Sequence, residues 1–289
     1  MALTRRFFVI IREGVGIFSS YGCFDRAASI SFYAFFSLIP ILLLTTVMVG
    51  YVLGAHEGLL DRIIEMARLG LPYLGPRIIS DLKGLADTWK TFGWVGLALL
   101  IFSAELVLDA TSEALQHVFE LPGKYGFFKK KVVNAVILLI PMFAALVSII
   151  MTAAARILAD FDLILFGVNV SYYFQGVLLA YVLPAVLMVM AVSFVYWIVG
   201  SPNIDFPYAL IGAVVFTVIW ELAKQLFAWY ISYVPTYNRF YVSIGTMMIL
   251  LLYIYFSATI FLFSASIARA AYRGAHGSVP HGRRAGVKS

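Results

Sequence analysis

The sequence predicts an all-α membrane fold: a polytopic bundle of six transmembrane helices. An N-terminal helix in the membrane interface and short extracytoplasmic amphipathic helices complete it. Three observations carry this. Of the 289 residues, 62% are hydrophobic and only 12% are charged, against about 25% charged in a soluble domain. The apolar residues gather in six stretches, each longer than the ~20 residues that cross a bilayer. Within each stretch the apolar run is continuous rather than alternating, which is the pattern of a spanning helix and not of a barrel strand.

The elements follow in order. Residues 4–22 interleave Arg5, Arg6 and Arg12 with Phe7, Phe8, Ile11, Val15 and Phe18, the composition of a basic amphipathic helix lying in the interface. The apolar run Phe7 to Ile11 is too short for a signal-peptide core and no small-residue cleavage site follows it. No glycine stands at position 2 for myristoylation. The first span, about 27–53, is therefore expected to act as an uncleaved insertion signal. Residues 55–90 place Leu59, Leu60, Ile63 and Ile64 among charges and are broken by Gly70, Pro72, Gly75 and Pro76. They read as two short amphipathic helices outside the bilayer. Span two covers 92–113. A loop over 114–131 carries Pro122, Gly123 and the run Lys129-Lys130-Lys131. Span three covers 132–155, span four 171–199, span five 208–234 and span six 241–268. Residues 1–271 read as a single membrane domain. Residues 272–289, rich in glycine and basic residues, read as a flexible tail.

Orientation follows from the positive charges. With the N-terminus inside, thirteen Lys and Arg fall on inner segments and seven on outer ones, and Lys224 lies within span five. The outer positives are matched by acids and the inner ones are not. The positive-inside rule then places both termini in the cytoplasm of a bacterial inner membrane. The net charge of +6 is explained by this asymmetry and by anionic lipid headgroups at the cytoplasmic face, without nucleic acid as a partner. Cys23 is the only cysteine, so no intrachain disulfide forms and no cysteine metal cluster exists.

Charges inside the spans are the candidate functional residues, because a charge in hydrocarbon costs about 2.5–3.5 kcal/mol even on insertion scales. Glu105, Asp109 and Glu113 are spaced four apart and share one face of span two. They read either as a polar stripe lining an inner-leaflet cavity or as the wet end of a short span. Glu221 and Lys224 are three apart in span five. They read either as transport residues or as an ion pair that locks helix packing. An interhelix pair between Lys224 and Glu105 is a third arrangement. Pro40, Pro141 and Pro184 interrupt spans one, three and four, each removing a backbone donor. Tyr33 and Ser37 line up beside the Pro40 break, which makes Tyr33, Ser37 and Pro40 candidate cavity residues. Aromatic residues near the outer ends, such as Trp229, Tyr230 and Tyr241, fit interface anchoring.

Several segments together resemble the YihY/BrkB family of bacterial inner-membrane proteins. They are Asp25 to Pro40, with Phe32-Tyr33 and Ser37 three before Pro40; Glu113 to Phe119 before the basic loop; Gly212 to Phe227, with Trp220-Glu221-Leu222-Ala223-Lys224; and Tyr241 to Thr246 leading into Leu251 to Tyr255. They occur in matching order over almost the whole chain. The sequence departs from the family pattern at Phe263 to Ala268, where Ser266 stands in place of an expected acid. The resemblance implies a six-helix inner-membrane protein. Members of that family have carried a ribonuclease label, and others have been linked to envelope integrity or lipid export.

The residues favour a transporter or flippase-like exporter of a lipidic or amphipathic envelope molecule. No phosphate-cradling loop is present for an ATPase of its own. The alternative is a non-catalytic scaffold of envelope assembly, and an oligomer is compatible with either. A membrane ribonuclease ranks last. His56, His117, His276 and His281 have no metal-ligand spacing, and no nucleophile elbow is present, so neither enzyme activity nor a metal or cofactor is expected. The topology is directly testable. Reporter fusions at Gly286 should report cytoplasm and fusions at Gly75 periplasm. A periplasmic signal at Gly286 would rule out the six-span arrangement.

Overall fold

A computed structural model describes residues 2–55, 76–121, 126–159, 164–165, 168–169, 182–233 and 239–276. Among the described residues the chain is helical apart from short turns and one two-residue ladder. Its helices are α1 (Ala2–Ser20), α2 (Cys23–Ala55), α3 (Pro76–Val118), α4 (Phe127–Ala159), α5 (Leu183–Gly200), α6 (Phe206–Tyr233) and α7 (Arg239–His276). Strands β1 (Ile164–Leu165) and β2 (Val168–Asn169) pair antiparallel between α4 and α5. Among the described residues, six helical segments are long and apolar enough to cross a membrane: Cys23–Thr45, Gly93–Val118, Phe128–Met151, Leu183–Gly200, Phe206–Tyr230 and Met247–His276.

Several boundaries differ from the sequence reading. Residues 76–90 are not a separate short helix but the first turns of α3, which continues without a break into the membrane segment. After Pro76 that stretch has no proline, and its single glycine, Gly84, is carried within the helix. At the other end α3 runs on to Val118, so the expected loop from 114 begins later. Helix α7 continues through Arg269 and Arg273 to His276, so residues 272–276 belong to a helix and not to a tail. Expectations for 56–75, for the first part of span four (171–181) and for 277–289 fall outside the described residues.

Contacts divide the chain into two compact units, Ser31–Val107 and the combination of Met1–Ile30 with Leu108–Ser289. In the smaller unit α2 and α3 approach closely through glycine. A Cβ on Gly96 would meet Leu43 at 2.4 Å and one on Gly93 would meet Val47 at 3.3 Å. In the larger unit α1 packs on α7, α4 on α5, α5 on α6, and α6 on α7. Its best-packed region gathers Tyr196, Phe119, Leu115, Ile204 and Leu262, all fully buried. This region sits where α3 and α5 end, against α7. The buried Tyr196 hydroxyl donates to the Phe261 carbonyl at 2.6 Å, which satisfies the one polar atom its ring brings in. Elsewhere large apolar side chains such as Phe102, Phe143 and Leu222 are exposed at 62–68%. An aqueous surface of that kind would aggregate, whereas lipid covers it at no cost.

Two turns show why the helices stop where they do. Gly22 adopts φ +59 and its N–H bonds the Ser19 carbonyl at 3.1 Å, a left-handed cap that glycine takes without strain. Its own carbonyl then accepts from Asp25 and Arg26, so the same residue ends α1 and starts α2. At the α6–α7 contact, Gly212 removes side-chain bulk. A Cβ there would lie 2.7 Å from the Ala268 Cβ and 2.8 Å from the Ser264 carbonyl. Close approach through small residues is how membrane helices gain packing energy. Gly212→Val should therefore destabilise the protein by about 1–3 kcal/mol or more, read as a lower thermal midpoint in detergent. Gly16, with nothing within 4 Å of its added Cβ, should accept alanine without loss, gaining at most about 1 kcal/mol of helix propensity.

Candidate functional site

The sequence-derived candidates divide between the two compact units. Tyr33, Ser37, Pro40 and Glu105 belong to the smaller unit, and Asp109, Glu221 and Lys224 to the larger one. Pro40 is buried within α2, and Tyr33, Ser37 and Glu105 are half-buried. The Ser37 hydroxyl turns back to donate to the Ala34 carbonyl at 2.6 Å. It thus caps its own preceding turn and not the Phe36 carbonyl that Pro40 leaves without a donor.

Asp109 is held by partners from the start of α4. Lys130 Nζ lies 2.8 Å from one carboxylate oxygen, and Asn134 Nδ2 donates to the other at 2.7 Å. The same Lys130 stands 3.7 Å from Glu113. Two of the three acids on the α3 face are therefore engaged by one lysine of the basic run. Glu221 and Lys224 pair with each other at 2.6 Å on α6. Of the arrangements weighed for them, the local i,i+3 pair is the one that forms. Their side chains are nevertheless 51% and 42% exposed, and Gln225 beside them is exposed too.

The strongest constellation in the larger unit escaped the sequence reading. Glu120 follows the end of α3 with φ +55. Its N–H bonds the His117 carbonyl and the Leu121 N–H bonds the Gln116 carbonyl. That is a Schellman cap in which glutamate occupies the left-handed position usually given to glycine. Its carboxylate is only 5% exposed. Arg269 reaches it at 3.1 Å, Arg273 makes a second and closer ion pair, and the Tyr21 hydroxyl donates to it at 2.8 Å. Arg273 also stands 3.8 Å from Glu13 of α1. Asn203, in the α5–α6 turn, donates its Nδ2 to the Phe119 and Glu120 carbonyls at 2.9 and 2.8 Å and accepts from Arg269 through its own carbonyl. The turn between α1 and α2 is closed by Arg26 Nε donating to the Tyr21 carbonyl at 3.0 Å. Only Arg269 and Arg273 offered a signal in the sequence, being four apart and so on one helix face. Their acid lies 149 and 153 positions away, beyond any local pattern.

Electrostatics follow the geometry. Burial alone would raise the pKa of Glu120, but hydrogen bonds from Tyr21, Arg273 and Arg269 outweigh it and hold the carboxyl below its ordinary value. Burial, then the hydrogen bond and negative charge of Glu120, push the Tyr21 phenol up to about 12.

Two recesses accompany these groups. One, of about 350 Å³, opens beside the cluster and is lined by Glu13, Gly16, Ile17, Ser20, Tyr21, Glu120 and Arg273. The other, of about 450 Å³, is an apolar groove between α6 and α7 lined by residues such as Trp220, Leu226, Phe227, Tyr253 and Phe256. Neither is lined by Glu105 or Pro40. Among the described residues, no group of three or more His, Cys, Asp or Glu is placed to hold a metal ion.

Comparison with known proteins places this arrangement. The family model described as Virulence factor BrkB matches residues 16–287. The chain belongs to the BrkB family. It is similar to a "UPF0761 membrane protein" of Alcanivorax borkumensis, 25% identical over 272 residues, which is 92% of this chain and 60% of that protein. A protein of the same description from Actinobacillus pleuropneumoniae serotype 5b is 30% identical over 178 residues, 62% of each chain. One from Coxiella burnetii is 25% identical over 260 residues, 87% of this chain and 88% of the relative. The alignments thus span about three fifths of the length of the first two relatives. No solved structure matches the chain. Within this BrkB-family chain, Ser266 is fully buried, donates to the Leu262 carbonyl at 2.9 Å and lies within hydrogen-bonding reach of the Cys23 thiol.

Because the Tyr21 phenol binds its proton more tightly folded than unfolded, its contribution to stability is present below the ordinary tyrosine value of about 10. It is lost as pH rises toward about 12. Tyr21→Phe, which has no proton to lose, should flatten that part of the pH profile of thermal stability. Equal alkaline sensitivity in the two proteins would show that Tyr21 is not held as described.

Proposed function

We propose that this integral membrane protein moves a lipidic or amphipathic envelope molecule across the inner membrane, without an ATPase of its own. The observation that carries the reading is the Glu221–Lys224 pair. It lies well inside the apolar span Phe206–Tyr230 with both side chains about half exposed. Exposed charge at that depth is costly. Pairing at 2.6 Å neutralises the net charge yet leaves strong local dipoles on the open face of α6. Gln225 extends the polar patch. A headgroup carrying both signs gains hydrogen bonds on such a patch where bare hydrocarbon offers none. The neighbouring α6–α7 groove, lined by aromatic rings and aliphatic carbon, suits an acyl chain. The excess of positive charge on the inner segments would attract anionic headgroups at the cytoplasmic face. The second reading, a scaffold of envelope assembly, draws on the same pair. An ion pair that neutralises itself needs no substrate, and its exposed face suits a contact between helices.

Vesicles of phosphatidylethanolamine and phosphatidylglycerol carrying a fluorescent phosphatidylethanolamine separate the two. Purified protein should speed the loss of outer-leaflet asymmetry, read as dithionite bleaching of the inner-leaflet probe. Glu221→Leu with Lys224→Leu should slow it ~10-fold or more, since removing the polar step restores at least ~1.4 kcal/mol of barrier. Wild-type protein no faster than protein-free vesicles would favour the scaffold. A double variant as fast as wild type would remove α6 from the route.

A further inference from the structure

We propose that Glu120, Arg269 and Arg273 form a releasable latch that clamps α1 and the α1–α2 turn against α7, and that the Cys23 thiol is covered only while the latch is shut. This inference does not depend on the transport reading.

The first ground is backbone strain. Glu120 occupies φ +55, a left-handed conformation that is strained for a residue with a Cβ. Strain of this kind persists only where surrounding contacts over-determine it. Here those contacts are tertiary: two arginines from α7, the Tyr21 hydroxyl and the Asn203 side chain. The second ground is that the cluster is all-or-none. A carboxylate 5% exposed against a guanidinium 11% exposed cannot lose its partner and stay buried. Either the pairs are made or the turn leaves. The third ground is a second acid within reach. Arg273 bridges Glu120 and Glu13 at once, and the recess of about 350 Å³ bordered by all three gives its guanidinium room to stay with Glu13 when the Glu120 turn leaves. A charged group with another acid already in reach, and open space beside it, can release one contact without being left unpaired. Next to the latch, α1 meets α7 through Gly14 on Ile267 and Phe18 on Phe263, and Cys23, the first residue of α2, lies beside Ser266 of α7. Cys23 is fully buried there and is the only cysteine in the chain.

That single thiol reads the latch without engineering. Wild-type protein in detergent or vesicles should react slowly with a water-soluble maleimide. The rate should nonetheless exceed that of global unfolding, followed by circular dichroism, by ~10-fold or more, as local opening requires. Glu120→Gln and, separately, Arg273→Gln should each speed labelling a further ~10-fold or more, by loss of a buried ion pair. Gel filtration and helix content identify any variant that has failed to fold, and the remaining single variant then decides. Labelling of wild type that only tracks global unfolding would overturn the proposal. So would folded single variants that label no faster than wild type.

Discussion

The bilayer supplies no hydrogen bonds, and everything else in this structure depends on that. In hydrocarbon each backbone N–H and C=O must find its partner within its own segment. The chain therefore enters and leaves as long unbroken helices, and turns, caps and charges are driven to the ends. Helix α3 shows the consequence, for it runs from Pro76 to Val118 and stops only at a hydrogen-bonded cap. Apolar side chains gain little by packing on each other when lipid is the alternative. Glycine, serine and alanine take the contact positions instead. Gly212 against Ala268 and Ser264, and Gly96 against Leu43, are examples.

Specific association must then come from polar groups, and these obey different rules at different depths. On α6 the charges pair locally, Glu221 with Lys224 on one helix face, whereas Asp109 of α3 pairs with Lys130 of α4. Local pairing needs no tertiary partner and survives exposure. Beyond the helix ends the pairs are long-range. Glu120 joins a residue after α3 to the last turns of α7. Asn203 bonds the backbone of Phe119 and Glu120, and Tyr21 brings in the turn after α1. Burying a carboxylate that has two guanidiniums is tolerable, whereas removing one partner of such a pair costs about 3–5 kcal/mol. The cluster thus fixes which turns lie together, while the apolar helices fix only that there are helices.

This division explains what could be read from the sequence. The membrane helices were legible because continuous apolar length is a one-dimensional property. The Glu221–Lys224 pair was legible because three residues on a helix are neighbours. The ends were less so. Positives at Arg269 and Arg273 read as topology signals and a tail, since nothing nearby in the chain reveals that α7 continues to His276. Asp109 was singled out, but its lysine and asparagine come from α4. Glu120 was missed because a glutamate in a glycine position, followed by proline and glycine, has the composition of an ordinary loop. Only its fold partners show that it is held.

The two kinds of charge also divide the work that a moving membrane protein must do. A route for a polar group through hydrocarbon needs polarity that is exposed, which the α6 pair provides and a buried network does not. A conformational switch needs polarity that is buried, because only then does breaking it cost enough to separate two states. The cluster around Glu120 meets that second condition, and its strained backbone raises the energy of the shut state relative to an unstrained one. The latch is consequently less stable than its four contacts would make an unstrained glutamate. A glycine at that position would relieve the strain but would have no carboxylate to hold α7. The glutamate accepts the strain in exchange for a bond that can be released.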